Sequence, residues 1–151
     1  NLLVLKAFTK LYGMAGLRLG YCLAANTGLL DCMRAAGQPW PVSTPAQAAG
    51  LAALEDAAYA DRVRALVRTE APFLWNGLRQ LGLSPIQPLA NYILFSAPCN
   101  DLAARCRRRG VLIRDCSNYR GLTPRWYRVA VRTHAENEKL LAVLRTALEE
   151  G

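Results

Sequence analysis

One lysine and three arginines stand where their neighbours call for a reason. Lys10 lies in the stretch AFTKLYGMAGLRLGY, residues 7 to 21, between Phe8, Leu11, Tyr12 and Met14, and Arg18 follows eight residues later. Lysine is seldom found in such apolar company unless something pairs with it or reacts with it. An apolar pocket disfavours the ammonium form, which makes the amine a nucleophile able to form an imine with an aldehyde. An arginine close by in space would clamp an anion carried by that aldehyde, because its fork matches phosphate. An aldehyde bearing a phosphate is pyridoxal phosphate. The plainer arrangement has Lys10 ending a strand with its stem on apolar surface and Arg18 paired with a surface carboxylate. On these residues alone the plainer arrangement has the better odds.

Two further arginines lie downstream. Arg114 ends the apolar run Val111-Leu112-Ile113 and needs an anion. Arg128 sits in Trp126 to Arg132, where Tyr127, Val129 and Val131 share one face and Arg128, Ala130 and Arg132 the other. That alternation frees Arg128 to project into a cleft. Taken singly, each is more often an ordinary exposed strand arginine. Asn91 opens the apolar run NYILFS and either approaches the site or starts a strand from a turn. His134 is the only histidine and lies in a capping box, so no Ser/His/Asp or Cys/His triad can be built without a helix-start residue. Arg105, Arg107, Arg108 and Arg109 read as a solvated helix end that complements the macrodipole.

The elements that must position these groups follow from pattern. Leu2 to Phe8 and Leu17 to Ala25 read as short strands, with Lys10 to Gly16 a glycine-containing loop between them. Gln38-Pro39-Trp40-Pro41 reads as a linker. Ser43-Thr44-Pro45 starts a helical region that runs to about Leu81, and Pro72 is expected to kink or divide it. Beyond Gly82 come a strand over 91–96, a helix over 101–109 stopped by Gly110, strands over 111–114 and 126–132, and a closing helix after Thr133. The order β-α-β-β-α predicts a small α+β sandwich attached to the tail of something larger.

Composition narrows the class. The 151 residues are 52% hydrophobic and 20% charged, enough for a packed core in about one domain. Nineteen basic against eleven acidic residues leave a net charge of +8. That excess suits anionic small molecules or an acidic partner. The absence of a basic stripe interleaved with aromatics weighs against nucleic acid. The five cysteines are odd in number and show no CxxC spacing, which suggests neither a metal site nor a disulfide framework and points to a reducing, cytoplasmic compartment. No apolar run is long enough to span a membrane. The chain opens at Asn1 directly in a strand-like run, as a C-terminal fragment of a longer protein would.

The stretch AFTKLYGMAGLRLGY resembles the lysine loop of fold-type I pyridoxal-phosphate enzymes, in the branch that holds histidinol-phosphate aminotransferases and threonine-phosphate decarboxylases. Residue types, spacing and both glycines agree. The resemblance implies that Lys10 carries the cofactor and that Arg18, with Thr9 beside it, binds its phosphate. The family's serine three residues before the lysine is Ala7 here. A second stretch, GVLIRDCSNYRGLTPRWYRVAVRTHAENEKLL, resembles the substrate-binding region of the same branch. It implies that Arg128 holds a substrate carboxylate and Arg114 a substrate phosphate. The wording RDCSNYRGL followed by YRVAVRT is nearer the decarboxylases of cobalamin synthesis than the aminotransferases.

The implied fold class is α/β, of the pyridoxal-phosphate-dependent transferase-like fold type I. Residues 1–38 would be the end of the large domain, 39–81 a linker with long helices, and 82–151 a small α+β domain. The implied reaction is decarboxylation of L-threonine O-3-phosphate in a cytoplasmic homodimer. The alternatives are a histidinol-phosphate-type aminotransferase and, from another class, a basic non-enzymatic domain that binds anions. The family's aspartate for the pyridine nitrogen, its aromatic ring stacker and its glycine-rich phosphate turn cannot be placed before Lys10. The expectation is therefore that these 151 residues alone are not a competent enzyme.

Overall fold

Strands β1 (Leu3–Ala7) and β2 (Gly20–Ala24) pair antiparallel, with Leu3 opposite Ala24 and Ala7 opposite Gly20. The computed structural model in which they are seen describes residues 2–150. It divides into two compact units, Asn1–Val63 and Arg64–Gly151. In the first unit, β2 starts later than the alternation suggests because Ala15–Leu17 form a 3-10 turn. Helix α1 (Thr27–Ala36) follows, capped by Asn26, whose Oδ1 accepts from Leu29 N at 3.0 Å. Helix α2 (Thr44–Glu55) starts where the Ser-Thr-Pro signal places it, with Ser43 Oγ accepting from Ala46 N.

The helical region is not divided at Pro72. Helix α3 (Ala57–Gln80) runs through Pro72, and the division falls at Asp56, whose Oδ1 accepts from Tyr59 N at 2.8 Å. An aspartate cap ends one helix and begins the next. Proline removes only one backbone donor, and the buried Ala71, Leu74 and Leu78 around it hold the helix to the core.

The second unit is an antiparallel sheet in the order β3 (Ser84–Pro85), β4 (Tyr92–Ser96), β6 (Trp126–Ala130), β5 (Arg114–Asp115). Ile93 and Phe95 of β4 and Tyr127 and Val129 of β6 turn into the core. There they meet Leu102 and Cys106 of α4 (Leu102–Arg108), Leu140 and Leu144 of α5 (His134–Glu149), and Leu74 and Leu78 of α3. Gly77 of α3 lies so close to Leu141 of α5 that a Cβ there would stand 2.4 Å from Leu141 Cδ1. Gly110, at φ 75°, ends α4 in the left-handed region, as its place after the arginine run predicts. The strand expected over 111–114 is displaced to 114–115, because Val111 N bonds back to Cys106 O and ties the preceding residues to α4.

A polar cluster joins α3 to the start of α5. Glu70, 7% exposed, accepts from Asn137 Nδ2 at 2.9 Å and lies 3.1 Å from His134 Nδ1. Asn137 also bonds both backbone groups of Arg132 at the end of β6. At the α5 N-terminus, Thr133 donates to Glu136 from both its backbone N–H and its hydroxyl.

Two expectations follow. A Cβ on Gly20 would lie 2.8 Å from the carbonyl oxygen of Lys6, a backbone atom that cannot step aside. Gly20→Val should destabilise the hairpin by about 1–3 kcal/mol, read as lost hydrogen-exchange protection at Phe8 N, which bonds to Leu19 O. The second concerns acid. The Thr133 hydrogen bonds, then Arg132, hold the Glu136 carboxyl below its usual 4.5. Its contribution is therefore present above that value and lost as pH falls through the lower folded value. Amide signals of the first turn of α5 should broaden or shift in that acid window, and Glu136→Gln should remove the transition.

Candidate functional site

The first unit presents Lys10 and Arg18 from one closed loop. The loop joins β1 to β2 and is sealed at its base by Phe8 N to Leu19 O, at 3.1 Å. Inside it, Met14 N bonds Phe8 O and Gly13 N bonds Lys10 O, with Gly13 at φ 66° supplying the left-handed step of the turn. Phe8 is buried and stacks on Tyr12 at 5.1 Å, and Tyr12 lies 6.2 Å from Tyr59. Gly50 of α2 lets Leu19 approach: a Cβ there would stand 2.5 Å from Leu19 Cδ2. The loop is thus fastened by its aromatic and leucine side chains and leaves its polar ones outward.

Lys10 is exposed, and the apolar surroundings expected for it are not supplied by the described residues. The apolar neighbours in sequence turn the other way, Phe8 into the unit and Leu11 and Tyr12 half-buried. Thr9 is half-buried beside it. Arg18 is exposed and stands at φ 54°, ψ 36°, left-handed for a residue with a Cβ, as the cap of the 3-10 turn. Its Nη1 reaches Ala15 O at 3.5 Å, and it forms no ion pair with a described residue. The surface carboxylate of the plainer arrangement is therefore not there. Strain of this kind costs on the order of 1–3 kcal/mol and collects where a side chain must be aimed.

The second unit brings Arg114 and Arg128 together. They are directly opposite across β5 and β6, and Leu94 of β4 lies opposite Arg128 on its other side. Like charges so placed repel. No carboxylate of the described residues bonds either guanidinium. Tyr92, two residues before Leu94 and so on the same sheet face, places its ring 4.7 Å from the Arg128 guanidinium carbon. Asn118 Oδ1 accepts from Arg114 Nη2 at 3.0 Å, and the Tyr119 ring lies 5.7 Å from the same group. The neighbouring Asp115 is committed elsewhere: its Oδ1 accepts from Ser117 N, which holds its carboxyl below the usual range. Asn91 is half-buried, and its carbonyl accepts from Val131 N, so the chain is already paired before β4 begins.

Four other arginines of the second unit are held differently. Arg105 pairs with Asp101, Arg108 and Arg109 with Glu150, and Arg132 with Glu136. The arginine run of α4 lies at a helix end, as expected, but Arg105, Arg108 and Arg109 are paired with carboxylates where a solvated end was expected. Cys106 is fully buried, and burial pushes its thiol up to about 11, out of reach as a nucleophile. No cluster of metal-ligand type occurs among the described residues. A cleft of about 500 Å³ beside α3, lined by Arg68, Trp75 and Leu89 among others, contains none of the expected site residues. Sequence reasoning missed Tyr92, Asn118 and Tyr119. The signal was available for Tyr92, which alternates with the buried Ile93 in NYILF. Asn118 and Tyr119 come from a loop whose path no periodicity fixes.

A family model for "Aminotransferase class I and II" matches residues 1–144. The chain is 40% identical over 148 residues to the threonine-phosphate decarboxylase of Salmonella typhimurium, covering 96% of this chain and 41% of that protein. It is 39% identical over 153 residues to a histidinol-phosphate aminotransferase of Symbiobacterium thermophilum, covering 100% and 42%. The chain therefore spans about two fifths of the length of these relatives. Among solved structures, the histidinol-phosphate aminotransferase of Clostridium acetobutylicum superposes with a TM-score of 0.92 at 24% identity, over 99% of this chain and 46% of that one. That of Sinorhizobium meliloti, in complex with pyridoxal-5'-phosphate, does so at 0.79 and 22% identity, over 99% and 42%.

The backbone of Arg18 offers a test that does not depend on any ligand. Arg18→Gly relieves the left-handed strain and should leave the hairpin as stable or up to about 1 kcal/mol more so. Arg18→Val adds a β-branched side chain at the same angles and should lower stability by about 1–3 kcal/mol. Thermal unfolding of the two variants beside the parent checks the order.

Proposed function

The chain belongs to the class I and II aminotransferase family, with the fold-type I architecture of its structural neighbours, and from that premise we propose that it is the lysine-loop and substrate-arginine portion of a pyridoxal-phosphate-dependent decarboxylase acting on L-threonine O-3-phosphate. The observation that carries this reading is the closed loop of residues 8–19, which presents an amine and a guanidinium without a competing carboxylate. These residues fit the cofactor. Lys10 supplies the amine that holds the aldehyde, Arg18 the clamp for the phosphate, and Thr9 a hydroxyl in the place the family's serine leaves open at Ala7. Bound there, pyridoxal phosphate supplies an electron sink for the bond broken at the substrate's α-carbon.

The chain's own residues do the rest. Arg128 grips the substrate carboxylate by its fork, and Arg114, opposite it, meets the phosphate. For decarboxylation Arg128 would hold the carboxylate as the group that leaves, and for amino transfer it would hold it as the group that stays while a proton leaves the α-carbon instead. Asn91, next to Tyr92, would approach the substrate from the start of the neighbouring strand. In this reading residues 1–38 close the cofactor-binding domain, 39–81 link it, and 82–151 form the small substrate domain.

The product is aminopropanol phosphate with carbon dioxide, a building block for cobalamin. The working form is a cytoplasmic homodimer. Leu2, Leu5 and Leu23 of the first unit are 75%, 71% and 56% exposed, which suits a surface that is covered in the assembled enzyme. No helix among the described residues is long and apolar enough to cross a membrane.

The second reading, a histidinol-phosphate-type aminotransferase, is favoured by the 39% identity to such an enzyme over the whole of this chain. The protein carrying this chain, incubated with pyridoxal phosphate and reduced with borohydride, should yield a peptide labelled at Lys10, and Lys10→Ala should abolish both the label and turnover. Carbon dioxide released from threonine phosphate without a 2-oxo acid supports decarboxylation. Amino transfer from histidinol phosphate to 2-oxoglutarate supports the second reading. An unlabelled Lys10 overturns both.

A further inference from the structure

Two arginines facing each other across a sheet need something to hold them, and the structure holds these two with uncharged groups. Four other arginines of the second unit, Arg105, Arg108, Arg109 and Arg132, are each bound to a carboxylate. Arg128 instead lies against the face of Tyr92, and Arg114 against the amide oxygen of Asn118. The difference is chemical. A carboxylate neutralises the charge it orients. An aromatic face or an amide oxygen orients a guanidinium and leaves its positive charge whole.

We propose that Tyr92 and Asn118 are positioning residues that aim Arg128 and Arg114 at one anionic substrate while keeping both charges available to it. This rests on the substrate role given above to the two arginines. It assigns the affinity of the site to the neutrality of its supports as well as to their geometry. Asp115, one residue from Arg114, forms no ion pair with it: its carboxylate accepts from Ser117 N. The repulsion between Arg114 and Arg128 would be relieved by an anion bound to both, so the same arrangement favours binding.

The proposal separates charge from shape, and so do its variants. Asn118→Asp keeps the acceptor oxygen and the size of the side chain and adds one negative charge. Tyr92→Phe keeps the ring, and Tyr92→Leu removes it. The probe is inorganic phosphate, titrated into the full protein without substrate and followed by the Nε–H signals of the arginines. Asn118→Asp should weaken phosphate binding by about tenfold, and more than Asn118→Ala does. Tyr92→Phe should bind as the parent does. Tyr92→Leu should weaken binding a few-fold and make the Arg128 side chain measurably more mobile, with the melting temperature little changed at this exposed position.

If Asn118→Asp binds phosphate as tightly as the parent, or Tyr92→Leu leaves Arg128 as rigid as before, the proposal is overturned. Arg114→Ala and Arg128→Ala distinguish the levels. When both abolish phosphate binding and the Tyr92 and Asn118 variants do not affect it, the arginines keep their role and the supports lose theirs. When neither changes phosphate binding, the substrate role itself fails and takes this inference with it.

Discussion

Tyr127 fixes where Arg128 can be. Its ring is fully buried, its hydroxyl donates to Cys99 O and accepts from Leu102 N, and burial pushes that hydroxyl up to about 12. Those two bonds lock β6 against the start of α4. Because side chains alternate along a strand, a register locked at Tyr127 sends Arg128 to the opposite face, and a slip of one residue would bury the guanidinium in place of the ring. The same lock sets the partners: with Tyr127 opposite Phe95 and Asp115, Arg128 falls opposite Leu94 and Arg114. The arginine pair is thus a consequence of core packing on the far side of the sheet.

The lysine loop obeys a different constraint. It has no sheet to impose a period, so its shape comes from close approaches and angles. Gly20 meets the Lys6 carbonyl, Gly50 lets Leu19 in, Gly13 turns the chain, and Arg18 accepts a left-handed backbone that a glycine would adopt more easily. An arginine kept in such a conformation is aimed by its backbone, in contrast to Arg128, which is aimed by its neighbours. The two halves of the chemistry are positioned by unrelated means, one by turn geometry in the first unit and one by strand register in the second.

Legibility in the sequence follows the same division. The alternation at Ile93, Phe95, Tyr127 and Val129 is strict, and both strands and the outward face of Arg128 could be read from it. Caps with a local mechanism were legible too: Ser43 and Pro45, Gly110, and Thr133 with Glu136. Pro72 does not divide the helix because propensity is local, and the burial of Leu74 and Leu78 outweighs one lost backbone bond. Asp56 and Asn26 carried cap signals that went unread beside stronger apolar runs, which is how α1 was missed. The apolar surroundings of Lys10 were inferred from neighbours in sequence. In a turn, neighbours in sequence point in different directions, so composition around a residue does not measure its burial.

The basic excess of the chain can now be apportioned. A charge of +8 spread evenly would favour any polyanion. Here the arginine-rich end of α4 is bound to Asp101 and Glu150, and Arg132 to Glu136, so the densest basic run in the sequence is also among the best neutralised. Arg18, Arg114 and Arg128 form no ion pair with a described residue. The first sits on a loop with an amine, and the other two stand face to face on a sheet. Positive charge set at such points, beside an amine or face to face on a sheet, suits a small anion with defined geometry better than a long uniform backbone, which needs a continuous track of contacts. In the proposed reading, the placement of these three arginines, more than the total charge, favours a phosphorylated small substrate over nucleic acid.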